Sequence, residues 1–195
     1  MNTRAPLTIT LAIAIGGCSM AQSFKQGDNV LGVGFGIGGT YSIGFSGSGV
    51  SQTPVIGLHF DHAMGDLGPG VWGLGGYVGY KKISYTESYF NFYKYDYSYT
   101  YLIIGARGTW HYNEWHGNNK LDTYGGVMLS YNSVTYKDNT NYGVYGNLRP
   151  YSYNGGGMGV SAFVGARYYF TDKIGVFGEA GFGLALLQLG LDVKL

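Results

Sequence analysis

The chain has 195 residues and a formal net charge of +1, and charged residues make up only 12% of it. That fraction is about half of the ~25% usual in globular domains, whereas glycine (36) and tyrosine (20) are abundant. The small net charge excludes a nucleic-acid partner, the 17% aromatic content argues against disorder, and the length suits one domain.

The start of the chain carries the features of a secretory signal peptide. One positive side chain, Arg4, precedes an apolar run over residues 7–15, and Ser19-Met20-Ala21 has the small-x-small form of a cleavage site. The run is shorter than the ~20 residues that span a bilayer. The pattern predicts a signal peptide over residues 1–21 and a mature domain over residues 22–195.

Cys18 leaves a second interpretation of the leader open. Residues 15–18 resemble a lipobox, in which Cys18 would be acylated and retained. Cleavage before Gln22 would instead remove this cysteine, the only one in the chain, so that no disulfide could form.

The mature chain is predicted to consist of strands. Large apolar side chains recur at every second position, and glycine is spread throughout. In the first segment, residues 31–45, the large side chains occupy odd positions and glycines occupy even positions from 32 to 38. Similar alternation marks seven further segments: 56–61, 72–80, 102–112, 121–136, 160–170, 174–182 and 188–195.

Eight such segments predict an all-β fold, an eight-stranded antiparallel up-and-down transmembrane β-barrel. A face of glycine suits a narrow interior. The connections over 65–70, 113–120 and 171–173 are shorter, and long loops are predicted over 84–96 and 137–154. Shorter turns at one end and longer loops at the other are typical of barrels in an outer membrane.

The end of the chain carries a family resemblance. The stretch GARYYFTDKIGVFGEAGFG (165–183), followed by QLGLDVKL (188–195), resembles the small porin-like outer-membrane barrel family of Gram-negative bacteria, particularly its Bacteroidetes-type members. It is more distantly similar to OmpX-like and OmpW-like barrels. The resemblance implies a location in the cell outer membrane.

The same resemblance implies a signal for the barrel-assembly machinery at the C-terminus. The family pattern has a polar residue, a glycine two positions later, and hydrophobic residues at the third-last and last positions. The matching residues are Gln188, Gly190, Val193 and Leu195, with leucine where the family usually has an aromatic residue.

Charged residues fall on the predicted inner face of the barrel. They are Arg107, Arg167, Glu179, Asp192 and Lys194, with Arg167 expected near Glu179. A small barrel fills its interior with side chains, so the set is interpreted as a charge network that plugs the lumen. A polar path for ions or small solutes is the alternative.

No catalytic, cofactor or metal site is predicted. His59 and Asp61 share a face, but strand alternation sends His62 to the other one, so a metal site lacks ligands. A lipid-modifying enzyme would need a serine motif beside His111 or His116, and the sequence shows none.

Tyrosine-rich segments are the most distinctive feature of the predicted loops. Tyrosine offers a large amphipathic contact area and suits either a binding surface or packing at a membrane interface. The candidate surface-binding residues are Tyr85, Tyr89, Tyr93, Tyr95, Tyr142, Tyr145 and Tyr151.

Two functions follow from the sequence. The first is an envelope protein of the porin-like family with a structural or narrow-permeation role, whose partners are outer-membrane lipid, lipopolysaccharide and, during biogenesis, the assembly machinery. The second is an adhesin-like barrel whose loops recognise a glycan, lipopolysaccharide or a host surface.

Overall fold

The computed structural model describes residues 24–40, 48–89, 93–140 and 151–195, and for strand residues 88, 89, 93 and 94 it describes the backbone alone. The predicted signal peptide and Cys18 lie outside this description. The described residues contain no helix long and apolar enough to cross a membrane. They form nine strands: β1 (Asn29–Ile37), β2 (Val50–Gln52), β3 (Val55–Leu67), β4 (Gly70–Tyr89), β5 (Tyr93–His111), β6 (Leu121–Asp138), β7 (Tyr151–Tyr169), β8 (Ile174–Phe182) and β9 (Leu187–Lys194).

Eight of these strands close into an antiparallel barrel. Each strand pairs with its neighbour along the chain, and β1 pairs with both β3 and β9, so that the ring runs β1-β3-β4-β5-β6-β7-β8-β9 and back to β1. Closure leaves the C-terminal strand with a partner on each side, which removes the edge that a terminal strand would otherwise expose. The predicted fold class is confirmed.

Strand β2 is a short continuation of β3 rather than a ninth barrel strand. It pairs with Ile83 to Tyr85 of β4, directly beyond the β3–β4 ladder. Pro54 lies between β2 and β3 and cannot donate a hydrogen bond to a ladder. The backbone of the preceding residue, Thr53, still donates to Lys82 O at 2.9 Å, which keeps the two pieces in line.

Apolar side chains cover the outside of the barrel. On β1 the residues at 31, 33, 35 and 37 are exposed, while those at 30, 32, 34 and 36 are buried. Exposed apolar residues recur around the ring: Ile56, Leu58, Phe60, Leu74, Val78, Leu102, Ile104, Val127, Leu129, Val160, Val164, Val176, Phe182, Leu189 and Leu191. We call this surface the apolar band.

Glycine is required where the wall of the lumen is crowded. A Cβ atom at Gly34 would lie 2.7 Å from Cζ of Phe177 and 2.6 Å from the carbonyl oxygen of Leu189. Both distances are shorter than real Cβ contacts. The glycine face of the first predicted segment therefore makes room for the neighbouring backbone and for lumen side chains such as Phe177 of β8.

The barrel has two unlike ends. At the lower end lie the start of β1, the end of β9 and the connections 68–69, 112–120 and 170–173. At the upper end, β4, β5, β6 and β7 continue past the apolar band, whereas β1 ends at Ile37 and β8 ends at Phe182.

Most of the long loop predicted over 84–96 is strand, and strand also covers both ends of the loop predicted over 137–154. β4 continues to Tyr89 and β5 starts at Tyr93, while β6 continues to Asp138 and β7 starts at Tyr151. The cause is visible in YKYDYSYTY (93–101), where tyrosine alternates with a polar residue at the two-residue period of a strand.

Candidate functional site

An aspartate between two arginines forms the centre of the lumen. Asp61 Oδ1, on β3, lies 2.9 Å from Arg107 Nε, and the other carboxylate oxygen forms an ion pair with the guanidinium of Arg167. All three residues are at most 2% exposed. The sequence placed Asp61 on the inner face but did not include it in the charge network, because its partners lie across the lumen rather than on neighbouring strands.

Three further carboxylates complete this network. Arg107 Nη2 donates to Glu179 Oε1 at 2.7 Å, and Arg167 Nε lies 2.7 Å from Asp192 Oδ2. Arg167 Nη1 also lies 3.4 Å from Asp122 Oδ2. The expected neighbour of Glu179 was Arg167, and the structure has Arg107 in that place. We call these six residues, including Asp61, the ion network; they join six barrel strands.

Lys194 lies apart from the ion network. Its Nζ donates to Asp28 Oδ2 at 2.8 Å and lies 5.1 Å from the ring centre of Tyr169. Its side chain is 14% exposed. Lys194 thus ties the last strand to the segment before β1 at the lower rim, which differs from the interior position expected from the sequence.

A buried histidine contacts the lower part of the ion network. His111 Nδ1 lies 2.9 Å from Asp122 Oδ1, and its Nε2 lies 2.9 Å from Thr109 Oγ1. In a catalytic triad, similar distances join a nucleophile, a base and an orienting acid, which here would be Thr109, His111 and Asp122. However, Phe24 stacks on the imidazole with ring centres 3.9 Å apart, and Thr109 is only 5% exposed. The imidazole and the Thr109 hydroxyl are therefore packed inside the barrel.

The remaining histidines do not build a metal site. His59 Nε2 lies 3.2 Å from Asp192 Oδ1 and 4.0 Å from Asp61 Oδ2, while His62 bonds to Asn29 Oδ1 at 2.8 Å. Within the described ranges, no group of three His, Cys, Asp or Glu residues could hold a metal ion.

Side chains fill the lumen above and below the ion network. Phe24 is 2% exposed and closes the lower end, held there by a backbone bond from Gly27 N to Ala63 O at 2.9 Å. Above the ion network lies a cavity of about 30 Å³ bordered by Tyr77 and Gln188. A cavity of this size has room for water and not for a larger solute.

Gln188, Gly190 and Val193 of the predicted assembly signal lie in β9, and Leu195 directly follows it. Gln188 is buried in the lumen wall, and Val193 faces outward with 38% exposure. A Cβ at Gly190 would lie 2.5 Å from Cε1 of Phe177, so glycine is needed there. The backbone N–H of Leu195 donates to Asn29 O at 2.9 Å, which extends the closing ladder to the last residue.

Above the apolar band, eight tyrosines share one side of the β4–β7 sheet. The regular ladders of these four strands continue without a register shift, so this side is the continuation of the lumen wall. The opposite side carries serine, threonine and lysine, for example Ser98, Thr100 and Lys137. We call the first side the tyrosine face; it comprises Tyr85, Tyr95, Tyr97, Tyr99, Tyr101, Tyr136, Tyr151 and Tyr153.

The rings of the tyrosine face form a connected array across all four strands. Tyr85 and Tyr97 stack with ring centres 4.8 Å apart. Tyr99 and Tyr136 are 5.0 Å apart, and Tyr136 and Tyr151 are 6.4 Å apart. Such cross-strand aromatic pairs stabilise the sheet at about 0.2–1 kcal/mol each, and the array is a preformed surface.

The sequence identified only part of this surface. Tyr85, Tyr95 and Tyr151 lie on the tyrosine face, and Tyr89 pairs with Tyr93 at the tip of the β4–β5 hairpin. Tyr142 and Tyr145 lie outside the described residues. The missed members are Tyr97, Tyr99, Tyr101, Tyr136 and Tyr153, which the strict alternation of tyrosine and polar residues could have revealed.

The fold and these two features define a closed eight-stranded β-barrel with an ionic interior and an aromatic sheet above one end. No family model and no curated protein matches the sequence. Among solved structures, the chain is similar to the crystal structure of Ail, the attachment invasion locus protein of Yersinia pestis. The identity is 10%, 87% of this chain and 95% of that chain are covered, and the TM-score is 0.43. For the complex of Ail with the heparin analogue sucrose octasulfate, the identity and coverage are the same and the TM-score is 0.47.

Proposed function

We propose that the chain spans the outer membrane of a Gram-negative cell. The support is that its surfaces are the reverse of those of a soluble protein. Apolar side chains cover the outside of the closed ring, and the ion network lies inside. A soluble protein rarely exposes so continuous an apolar surface, whereas a bilayer requires one together with a closed ladder of hydrogen bonds. Outer-membrane lipid and lipopolysaccharide are then its immediate neighbours, and the C-terminal pattern supports the relation to the small porin-like family.

The ends of the barrel suggest its orientation. The lower end holds the start of β1, the end of β9 and a tight turn at Gly68-Pro69, as periplasmic ends of such barrels do. Exposed Trp72, Trp110 and Tyr168 lie near this end, where an aromatic girdle is expected. The upper end, with the tyrosine face, would then stand outside the cell.

We infer that the protein is a surface-binding, adhesin-like barrel. The observation that carries this proposal is the tyrosine face, which stands above the apolar band on a rigid four-stranded sheet. These rings lie on the lumen side of the sheet and not on its lipid side, so they are not placed for a membrane girdle. Tyrosine makes large contacts at low entropic cost, which suits recognition.

Permeation is disfavoured by the interior. Phe24, the ion network and the side chains above it leave no described passage wide enough for a solute, and an eight-stranded barrel is just wide enough to be filled by its own side chains. We therefore propose a barrel that anchors a binding surface and has no conducting or enzymatic role.

The test compares two sides of one sheet. Gram-negative cells displaying the protein would be counted on surfaces coated with collagen, mucin, lipopolysaccharide, dextran or dextran sulfate. We expect retention on at least one surface above cells without the protein, and loss of that retention when Tyr97, Tyr99 and Tyr136 are replaced by serine.

The matched control replaces Ser98, Thr100 and Thr135, on the opposite side of the same strands, by alanine and should retain binding. Display of folded barrel is checked for each variant by gel mobility without boiling. Equal retention of the two variants would contradict the proposal and favour a structural envelope role.

A further inference from the structure

A pocket opens at the upper end of the lumen, beside the foot of the tyrosine face. It has a volume of about 230 Å³, several times the ~30 Å³ that a water molecule occupies. Its polar lining comes from Ser130 and Asn132 on β6, Ser161 on β7, and Thr40. Leu184 supplies apolar surface.

The polar groups of this pocket are uncharged, and those on β6 and β7 are buried. Ser130, Asn132 and Ser161 are each at most 7% exposed. Ser130 Oγ donates to Asn132 Oδ1 at 3.2 Å, and Ser161 Oγ accepts from Leu184 N at 3.0 Å. A side chain at Gly159 would collide with the Asn132 amide nitrogen. Glycine at this position thus keeps space in front of an amide donor.

The pocket and the tyrosine face form one continuous surface. Asn132, Val134 and Tyr136 follow each other at two-residue steps on the same side of β6. In the sheet, Val134 pairs with Tyr101, and Tyr136 pairs with both Tyr99 and Tyr153. A chain-like ligand with its end in the pocket would therefore lie against tyrosine rings as it leaves.

The charges beside this surface disfavour an anionic ligand. Glu87 and Asp138 extend the tyrosine face toward its tip, and hydrogen bonds from the hydroxyl and backbone of Thr140 hold the pKa of Asp138 below its usual range. Lys81 is on the same side but is 2% exposed, and Lys82 and Lys137 are on the opposite side. Two carboxylates would repel sulfate or phosphate groups and can accept hydrogen bonds from hydroxyl groups.

We propose that the pocket binds the terminal sugar of an uncharged glycan, whose following sugars lie on the tyrosine face. Hydroxyl and amide groups in the pocket match sugar hydroxyls. The aromatic faces carry negative charge density and attract the weakly positive C–H groups of a pyranose ring. This inference rests on the proposed surface-binding function and names the chemical class of its ligand.

The experiment measures retardation of the purified protein, in detergent, in native gels that contain a polysaccharide. The uncharged probes are dextran, glycogen, laminarin and galactomannan. Dextran sulfate is the charged counterpart of dextran, with the same backbone. We expect retardation by at least one uncharged polysaccharide and none by dextran sulfate.

Two pocket variants and one control locate the site. Asn132→Leu removes the amide donor, and Ser130→Leu fills the pocket from the lumen side of β6. Each should weaken the apparent affinity about tenfold or more, which corresponds to ~1.4 kcal/mol. Thr135→Val, on the opposite side of β6, should leave the affinity unchanged. Gel mobility before boiling confirms that each variant is folded.

The outcomes separate this inference from the proposed function. Retardation by dextran sulfate alone, no retardation by any uncharged probe, or affinity that neither pocket variant changes would overturn the glycan assignment. If cells then still attach through Tyr97, Tyr99 and Tyr136, the surface-binding function stands with another ligand. If replacement of those tyrosines also leaves cell attachment unchanged, both proposals fail.

Discussion

A single carboxylate holds the centre of the ion network together. Asp61 contacts both Arg107 and Arg167, and each arginine reaches a further carboxylate on another strand. Buried ion pairs add little stability relative to apolar groups, but removal of one partner leaves an uncompensated buried charge. Removal of the Asp61 charge would therefore leave two buried guanidinium groups without their shared counter-charge.

We predict that Asp61→Asn lowers the free energy of unfolding by about 3–5 kcal/mol, because two guanidinium groups lose their shared counter-charge. Urea unfolding in detergent micelles, followed by tryptophan fluorescence, measures the change. Asp66→Asn is the control, since Asp66 is exposed and should change the value by less than ~0.5 kcal/mol. Equal effects of the two changes would show that the ion network is not a structural core.

Crowding of the lumen wall gives a second prediction at this scale. Gly34→Val should destabilise the barrel by about 1–3 kcal/mol or prevent its closure, because the new side chain would meet Phe177 and the backbone of Leu189. Val33→Ile, at the adjacent exposed position, should be tolerated. The same unfolding measurement compares the two, and a harmless Gly34→Val would mean that the interior has spare room.

Among the elements, the β4–β5 hairpin has a lower part that belongs to the barrel ring and an upper part that carries tyrosines above the ring. Its ladder runs without a register shift from Val71–His111 at the lower end to Tyr89–Tyr93 at the tip. The part that belongs to the ring and the part that stands above it are therefore one continuous pair of strands. Shortening the upper part should leave the lower part intact.

We predict that replacing residues 85–97 by Asn-Gly gives a closed barrel that has lost the cell retention proposed for the tyrosine face. Ser84 and Ser98 face each other in register, and Asn-Gly makes the two-residue turn that such strands favour. Gel mobility before boiling tests closure, and cell retention tests binding. A variant that fails to close would show instead that the upper hairpin is needed for assembly.

Sequence periodicity was sufficient for the strands but not for the contacts between them. Alternation located all eight barrel strands and their outward faces, because one face of each strand meets apolar surroundings. It did not give the partners of Arg107 and Arg167, since both reach Asp61 on β3 across the lumen and not along the sheet. Such contacts depend on strand tilt and stagger, which the sequence does not state. The tyrosine strands were taken for loops because polar composition was weighted above their two-residue period.

On the scale of the whole molecule, closure of the ring should make the barrel resistant to detergent. We predict that the unboiled protein from purified outer membranes migrates faster in a dodecyl sulfate gel than the boiled protein, since every barrel strand has two hydrogen-bonded neighbours. The boiled sample is the control. Release into the soluble fraction with no change in mobility would contradict both the barrel and its membrane location.

The unequal heights of the strands give the molecule a front and a back in the plane of the membrane. β4, β5, β6 and β7 rise above the ring, whereas β1, β8 and β9 stay low, and the tyrosine face looks from the high side over the lumen toward the low side. Among the described residues, the tyrosine face is therefore open on the side of β8, β9 and β1. For the proposed ligand, a neighbouring protein in the membrane would therefore matter more beside β8, β9 and β1 than beside the high strands, whose outer side carries no tyrosine face.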